Sequence, residues 1–84
     1  MRSVTLYTTE RCPRCTAAKA LLQRRGIDYE EIDLARDPEG RDALASNTGM
    51  FTFPQIVIAG QTLGGFDELA SADREGRLRE LLAA

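Results

Sequence analysis

A length of 84 residues, 43% hydrophobic and 29% charged, predicts a single domain over residues 1–84 rather than a disordered tail. The net charge of -2, with Lys19 the only lysine, argues against a nucleic-acid or membrane-surface protein. Histidine is absent, which excludes Cys–His catalysis and histidine metal sites, and no apolar run approaches the roughly 18 residues of a membrane span.

In chain order, residues 3–7 predict a buried strand that ends in the loop Thr8-Thr9-Glu10-Arg11. The only two cysteines, Cys12 and Cys15, come next, separated by Pro13 and Arg14. A helix opens at Cys12 or Pro13, because the N–H that proline lacks has no intrahelical partner in a first turn. Cys15, Ala18, Leu21 and Leu22 share one face of it. Arg24 and Arg25 suit the negative end of its dipole, and Gly26 stops it. A Cys-x-x-Cys pair opening a helix after a strand has the pattern of a thioredoxin-like redox motif. Residues three apart on a helix are neighbours, so these two thiols can close a disulfide. The first strand leaves no room for the apolar stretch of a signal peptide. A cytoplasmic setting is therefore expected, where a disulfide is catalytic rather than structural.

Residues 27–34 alternate apolar and acidic side chains, with an irregular step at Glu30-Glu31, and predict a second strand parallel to the first. Asp37-Pro38 pairs an N-cap with a first-turn proline, starting a helix that runs to about Thr48 and ends at Gly49. Residues 55–58, Gln-Ile-Val-Ile, are rich in β-branched side chains and predict a third strand. Ala59-Gly60-Gln61 reverses the chain into a short antiparallel fourth strand at Thr62-Leu63. After Gly64-Gly65, residues 66–69 open a helical turn, and a last helix is expected from Asp73, with Leu78, Leu81 and Leu82 as its apolar stripe. The order β-α-β-α-β-β-α predicts an α/β fold, a four-stranded mixed sheet with helices on both faces.

Three segments then resemble one family in both order and spacing. Residues 7–15, Thr52-Phe53-Pro54-Gln55-Ile56 and Gly64-Gly65-Phe66-Asp67 resemble the redox motif, the Thr-Val-Pro segment and the Gly-Gly-x-Asp turn of the glutaredoxins. The resemblance spans essentially the whole chain. It implies a thioredoxin-like fold and a thiol–disulfide oxidoreductase with glutathione as co-substrate and no tightly bound cofactor or metal.

Cys12 is the expected nucleophile, since the thiolate attacks in disulfide exchange. The free N–H groups of a helix start, with Arg11 and Arg14 on either side, stabilise that anion. Cys15, a turn further in, is expected to be more buried and to act as the resolving thiol; the alternative is that it only packs. By the resemblance, the peptide before Pro54 is cis, and it turns the backbone of Phe53 toward substrate beside Thr52. Gly65, Phe66 and Asp67 are expected to hold the γ-glutamyl end of glutathione, with the Asp67 carboxylate facing its ammonium. Asp67 acting only as a helix cap is the other reading.

The chain departs from the pattern in places. Many relatives carry lysine where Thr9 stands and tyrosine where Arg14 stands, and Phe53 replaces the usual valine. Arg11 or Arg14 is then expected to supply the cation for the glycine carboxylate, with Arg41 as a further contact. A monomer acting on disulfide-containing or glutathionylated proteins is the leading expectation. A redoxin reduced by thioredoxin reductase and serving ribonucleotide reductase is the first rival. An iron–sulfur module is the second, although one Cys-x-x-Cys pair supplies only two thiolates and a cluster needs more.

Overall fold

The strand Val4–Thr8 (β1) is central to the sheet, and its neighbours bring the functional segments together. The computed structural model describes residues 1–83. From β1 the chain turns into the helix Pro13–Arg24 (α1) and returns as the strand Glu30–Asp33 (β2), parallel to β1 with Thr8 opposite Asp33. The helix Pro38–Thr48 (α2) leads to the strand Gln55–Ile58 (β3), antiparallel to β1, and Gln61–Gly64 (β4) pairs back on β3. The sheet order is β2-β1-β3-β4, one parallel and two antiparallel pairings in a single four-stranded mixed sheet.

Alternation along β1 decides which face carries the core. Val4 and Leu6 are buried and stand opposite Ile58 and Ile56 of β3, while Thr5 and Tyr7 on the other face are only half-buried. Ala18, Leu21 and Leu22 of α1 close over the buried side. Leu69 and Ala72 join them from the helix Phe66–Arg74 (α3), and Leu78 and Leu82 from the helix Arg77–Leu82 (α4). One carboxylate ties three elements: Glu31 of β2 accepts from Thr8 Oγ1 at 2.8 Å and from Lys19 Nζ at 3.3 Å.

The expected elements are present, and their bounds differ where backbone groups are already engaged. The second strand spans four residues rather than 27–34. Gly26, at φ +67°, reverses the chain after α1, and the Ile27 N–H then bonds to Leu22 O at 2.9 Å as part of the helix ending. Ile27 therefore enters the core from a turn instead of a ladder. The last helix does not begin at Asp73. Asp73 lies within α3, which runs unbroken from Phe66, and Gly76 at φ +76° separates it from α4. Glu68 caps the start of α3 by accepting the Gly65 N–H at 2.7 Å, so the turn expected at 66–69 is the beginning of a full helix.

Candidate active site

The strand register explains why three segments far apart in sequence share one place. Tyr7, near the end of β1, stands opposite Gln55, at the start of antiparallel β3, and Gly64 at the end of β4 stands opposite Ile56. The loop after β1, the residues before β3 and the turn after β4 therefore leave the sheet at the same end. That convergence follows from topology alone.

Cys12 is the N-cap of α1, with extended backbone, and Pro13 fills the first helical position. Its sulfur accepts the Cys15 N–H at 3.1 Å, which aims one of the free amide donors of the helix start at Sγ. Arg11, at φ +53°, bends the chain into this position. The two cysteines are joined as a disulfide, with their Cα atoms 5.2 Å apart. Their surroundings differ: Cys15 is buried at 2% exposure among the core side chains, whereas Cys12 is half-buried at the rim.

Across from Cys12, the Phe53–Pro54 peptide bond is cis, and the Phe53 carbonyl oxygen lies 3.8 Å from the Cys12 sulfur. Pro54 is buried and Phe53 half-buried, while Thr52 is exposed. Gln55 shapes this corner, since its buried side chain donates from Nε2 to Met50 O and Thr52 O, both at 3.1 Å. Gly65 lies against the same corner, where a Cβ would stand 3.5 Å from Pro54 O. The third segment thus touches the second.

Arg14 joins the third segment to the first. Its Nη2 donates to Asp67 Oδ1, and its guanidinium carbon sits 5.6 Å from the centroid of the Phe66 ring. Of the residues named from sequence, Cys12, Arg14, Phe53, Gly65, Phe66 and Asp67 form one connected site, with Cys15 and Pro54 buried beneath it. Thr52 flanks it. Arg11 is adjacent and exposed, and makes no ion pair among the described residues. Arg41 is committed elsewhere: its Nη1 donates to Leu34 O at 2.6 Å and Ala35 O at 3.0 Å. It still borders a recess of about 180 Å³ shared with Phe51, Phe53 and Gln55.

Two participants escape a reading by sequence. Glu68 caps the glycine turn, and its position three residues after Gly65 is the capping-box spacing that signals it. The Arg14–Asp67 contact spans 53 positions and has no local signal. Among the described residues no helix is long and apolar enough to cross a membrane, and no three His, Cys, Asp or Glu side chains gather to hold a metal ion.

Comparison with known proteins agrees with this geometry. The family model described as Glutaredoxin matches residues 4–63. The chain is 46% identical to a glutaredoxin of Pseudomonas aeruginosa over 84 residues, covering all of both proteins. It is 39% identical to glutaredoxin 3 of Escherichia coli over 82 residues, covering 98% of this chain and 99% of that one. Among solved structures it superposes on a glutaredoxin of Brucella melitensis with a TM-score of 0.86 at 44% identity, covering 98% of this chain and 89% of the other. A buckwheat glutaredoxin in complex with glutathione superposes with a TM-score of 0.88 at 28% identity, covering 96% of this chain and 76% of that one. With its redox-active cysteine pair and its thioredoxin-like fold, the chain belongs to the glutaredoxin family of thiol oxidoreductases.

Proposed function

We propose that this protein is a glutathione-dependent dithiol oxidoreductase that reduces protein disulfides and glutathione mixed disulfides through Cys12 and Cys15. The observation that carries this reading is the seat of Cys12: an N-cap sulfur 3.1 Å from an amide N–H and open toward Phe53 O, while Cys15 is enclosed. The amide donor and the helix start favour the anionic sulfur, so the reduced Cys12 thiol ionises below the ordinary thiol range.

For a glutathionylated protein, the Cys12 thiolate attacks the glutathione sulfur and the protein leaves as a thiolate. A second glutathione then attacks the mixed disulfide, giving oxidised glutathione and regenerating Cys12. For a protein disulfide, Cys12 forms a mixed disulfide with one substrate sulfur. The Cys15 thiolate then attacks Cys12, releasing the substrate dithiol and closing the Cys12–Cys15 disulfide. Two glutathione molecules reopen it. The buckwheat relative's complex supports glutathione as the partner. The γ-glutamyl end belongs at Gly65, Phe66 and Asp67. Arg11 remains for the glycine carboxylate, since the Arg14 guanidinium is turned to Asp67 and Arg41 is engaged by Leu34 O and Ala35 O. The protein acts as a monomer in the cytoplasm, where disulfides are continually reduced.

Thiol labelling of the reduced protein across a pH series tests the nucleophile. Half-reaction of Cys12 below about pH 7.5 is expected, against about 8.5 for an ordinary thiol, and a value near 8.5 would overturn the assignment. Coupled assays identify the donor: turnover with glutathione and glutathione reductase is expected. Turnover with thioredoxin reductase alone would favour a redoxin of the kind that serves ribonucleotide reductase.

A further inference from the structure

The Arg14 side chain leaves the redox motif and crosses to the head of α3, where it pairs with Asp67 and lies over Phe66. The side chains are 55% and 76% exposed, so water screens the pair and little free energy opposes its opening. The two charges are adjacent, opposite, and mounted on different helices. An α-amino-acid end carries the same two charges on a single carbon, one carboxylate and one ammonium. Placed between Arg14 and Asp67, such a group replaces one exposed pair within the protein by two pairs with the ligand. The Phe66 ring keeps the guanidinium beside the turn during the exchange, because its face attracts the cation independently of Asp67. Glu68 stays out of the exchange, since its carboxylate holds the Gly65 N–H at 2.7 Å.

We infer that Arg14 and Asp67 together form a receptor for the zwitterionic end of a γ-glutamyl ligand, with Arg14 taking the α-carboxylate and Asp67 the ammonium. The inference rests on the glutathione reading above and adds Arg14 as the residue that selects a free amino-acid end. A disulfide within a protein chain brings no such zwitterion, so Arg14 raises affinity for glutathione adducts without raising it for protein disulfides. Arg14 as a mere competitor for Asp67 predicts the opposite sign, because its removal would then free the carboxylate and tighten ligand binding.

The test is an NMR titration of the oxidised protein, which excludes thiol exchange. Two ligands are used: S-methylglutathione, and its analogue with γ-aminobutyrate in place of γ-glutamate, which lacks only the α-carboxylate. The wild type is expected to bind S-methylglutathione about fivefold more tightly than the analogue. Arg14→Gln is expected to lose that preference, binding both ligands with the weaker affinity, and Arg14→Lys to regain part of it. Unchanged melting temperatures of these exposed-site variants verify that the fold is intact. Equal or tighter binding of S-methylglutathione by Arg14→Gln, or an undiminished preference, overturns the role of Arg14 and leaves glutathione as co-substrate standing. Absence of any S-methylglutathione binding by the wild type overturns both.

Discussion

At the scale of single residues, the two sulfurs differ in access rather than in identity, and variants should separate their roles. Cys12→Ser is expected to abolish turnover on every disulfide substrate, since the one other thiol, Cys15, is buried. Cys15→Ser should still form a mixed disulfide through Cys12 but hold it until glutathione arrives. Mass spectrometry of the quenched reaction would then find a persistent adduct with a protein disulfide substrate in Cys15→Ser and none in Cys12→Ser. An adduct in Cys12→Ser contradicts the assignment. Gly64 bears on the other side of the site. Its φ is +136°, and a Cβ there would stand 2.7 Å from Glu68 Cγ, the side chain that caps α3. Gly64→Ala should therefore cost about 1–3 kcal/mol, read as a lower midpoint of urea unfolding. An unchanged midpoint would show that the turn relaxes freely.

At the scale of elements, α1 packs against α3, and an ion pair fixes the far end of that contact. Arg25 donates to Asp73 through Nε at 2.8 Å and Nη2 at 2.9 Å, and this hydrogen bonding holds the Asp73 carboxyl below the usual carboxylate range. A lowered folded pKa means that the unfolded chain takes up the proton first as the medium is acidified. The stabilisation is thus complete above the unfolded carboxylate's pKa of about 4, and it is lost as pH falls through the lower folded value. Arg25→Gln should lower the melting temperature by about 2–4 °C at pH 7, and the gap from wild type should narrow steadily as pH falls below the unfolded carboxylate's range. A gap independent of pH would mean that Arg25 acts through packing alone. The same elements show what sequence carries and what it does not. The bounds of α2 are legible at both ends because local chemistry sets them, Asp37 accepting the Gly40 N–H at one and Gly49 in the left-handed conformation at the other. The bounds of β2 are not, because Ile27, Asp28 and Tyr29 have strand-like alternation but only four positions face β1. Asp73 looks like a helix start for the reason that any aspartate does. Its carboxylate is instead bound to Arg25, 48 positions away, and no local pattern reports such a partner.

At the scale of the whole molecule, the redox motif, the cis-proline corner and the glycine turn are held in place by the core beneath them. Leu69 links that core to the site. It is fully buried and stands one helical turn from Phe66, on the helix that presents Asp67 to Arg14. A chain of this length has a stability on the order of 5–10 kcal/mol. Leu69→Ala removes apolar area and leaves a cavity that one close-packed layer fills poorly, at a cost of about 2–5 kcal/mol. Phe51 is a control of opposite kind, a larger apolar residue that is 83% exposed, and Phe51→Ala should change stability by no more than about 0.5 kcal/mol. Urea unfolding of the two variants separates burial from hydrophobicity as the origin of stability. The Leu69→Ala midpoint should fall far below that of the wild type with its slope retained, and the Phe51→Ala midpoint should stay in place. Equal shifts would mean that Phe51 is packed in solution and that the core extends beyond the layer between the sheet and helices α1, α3 and α4.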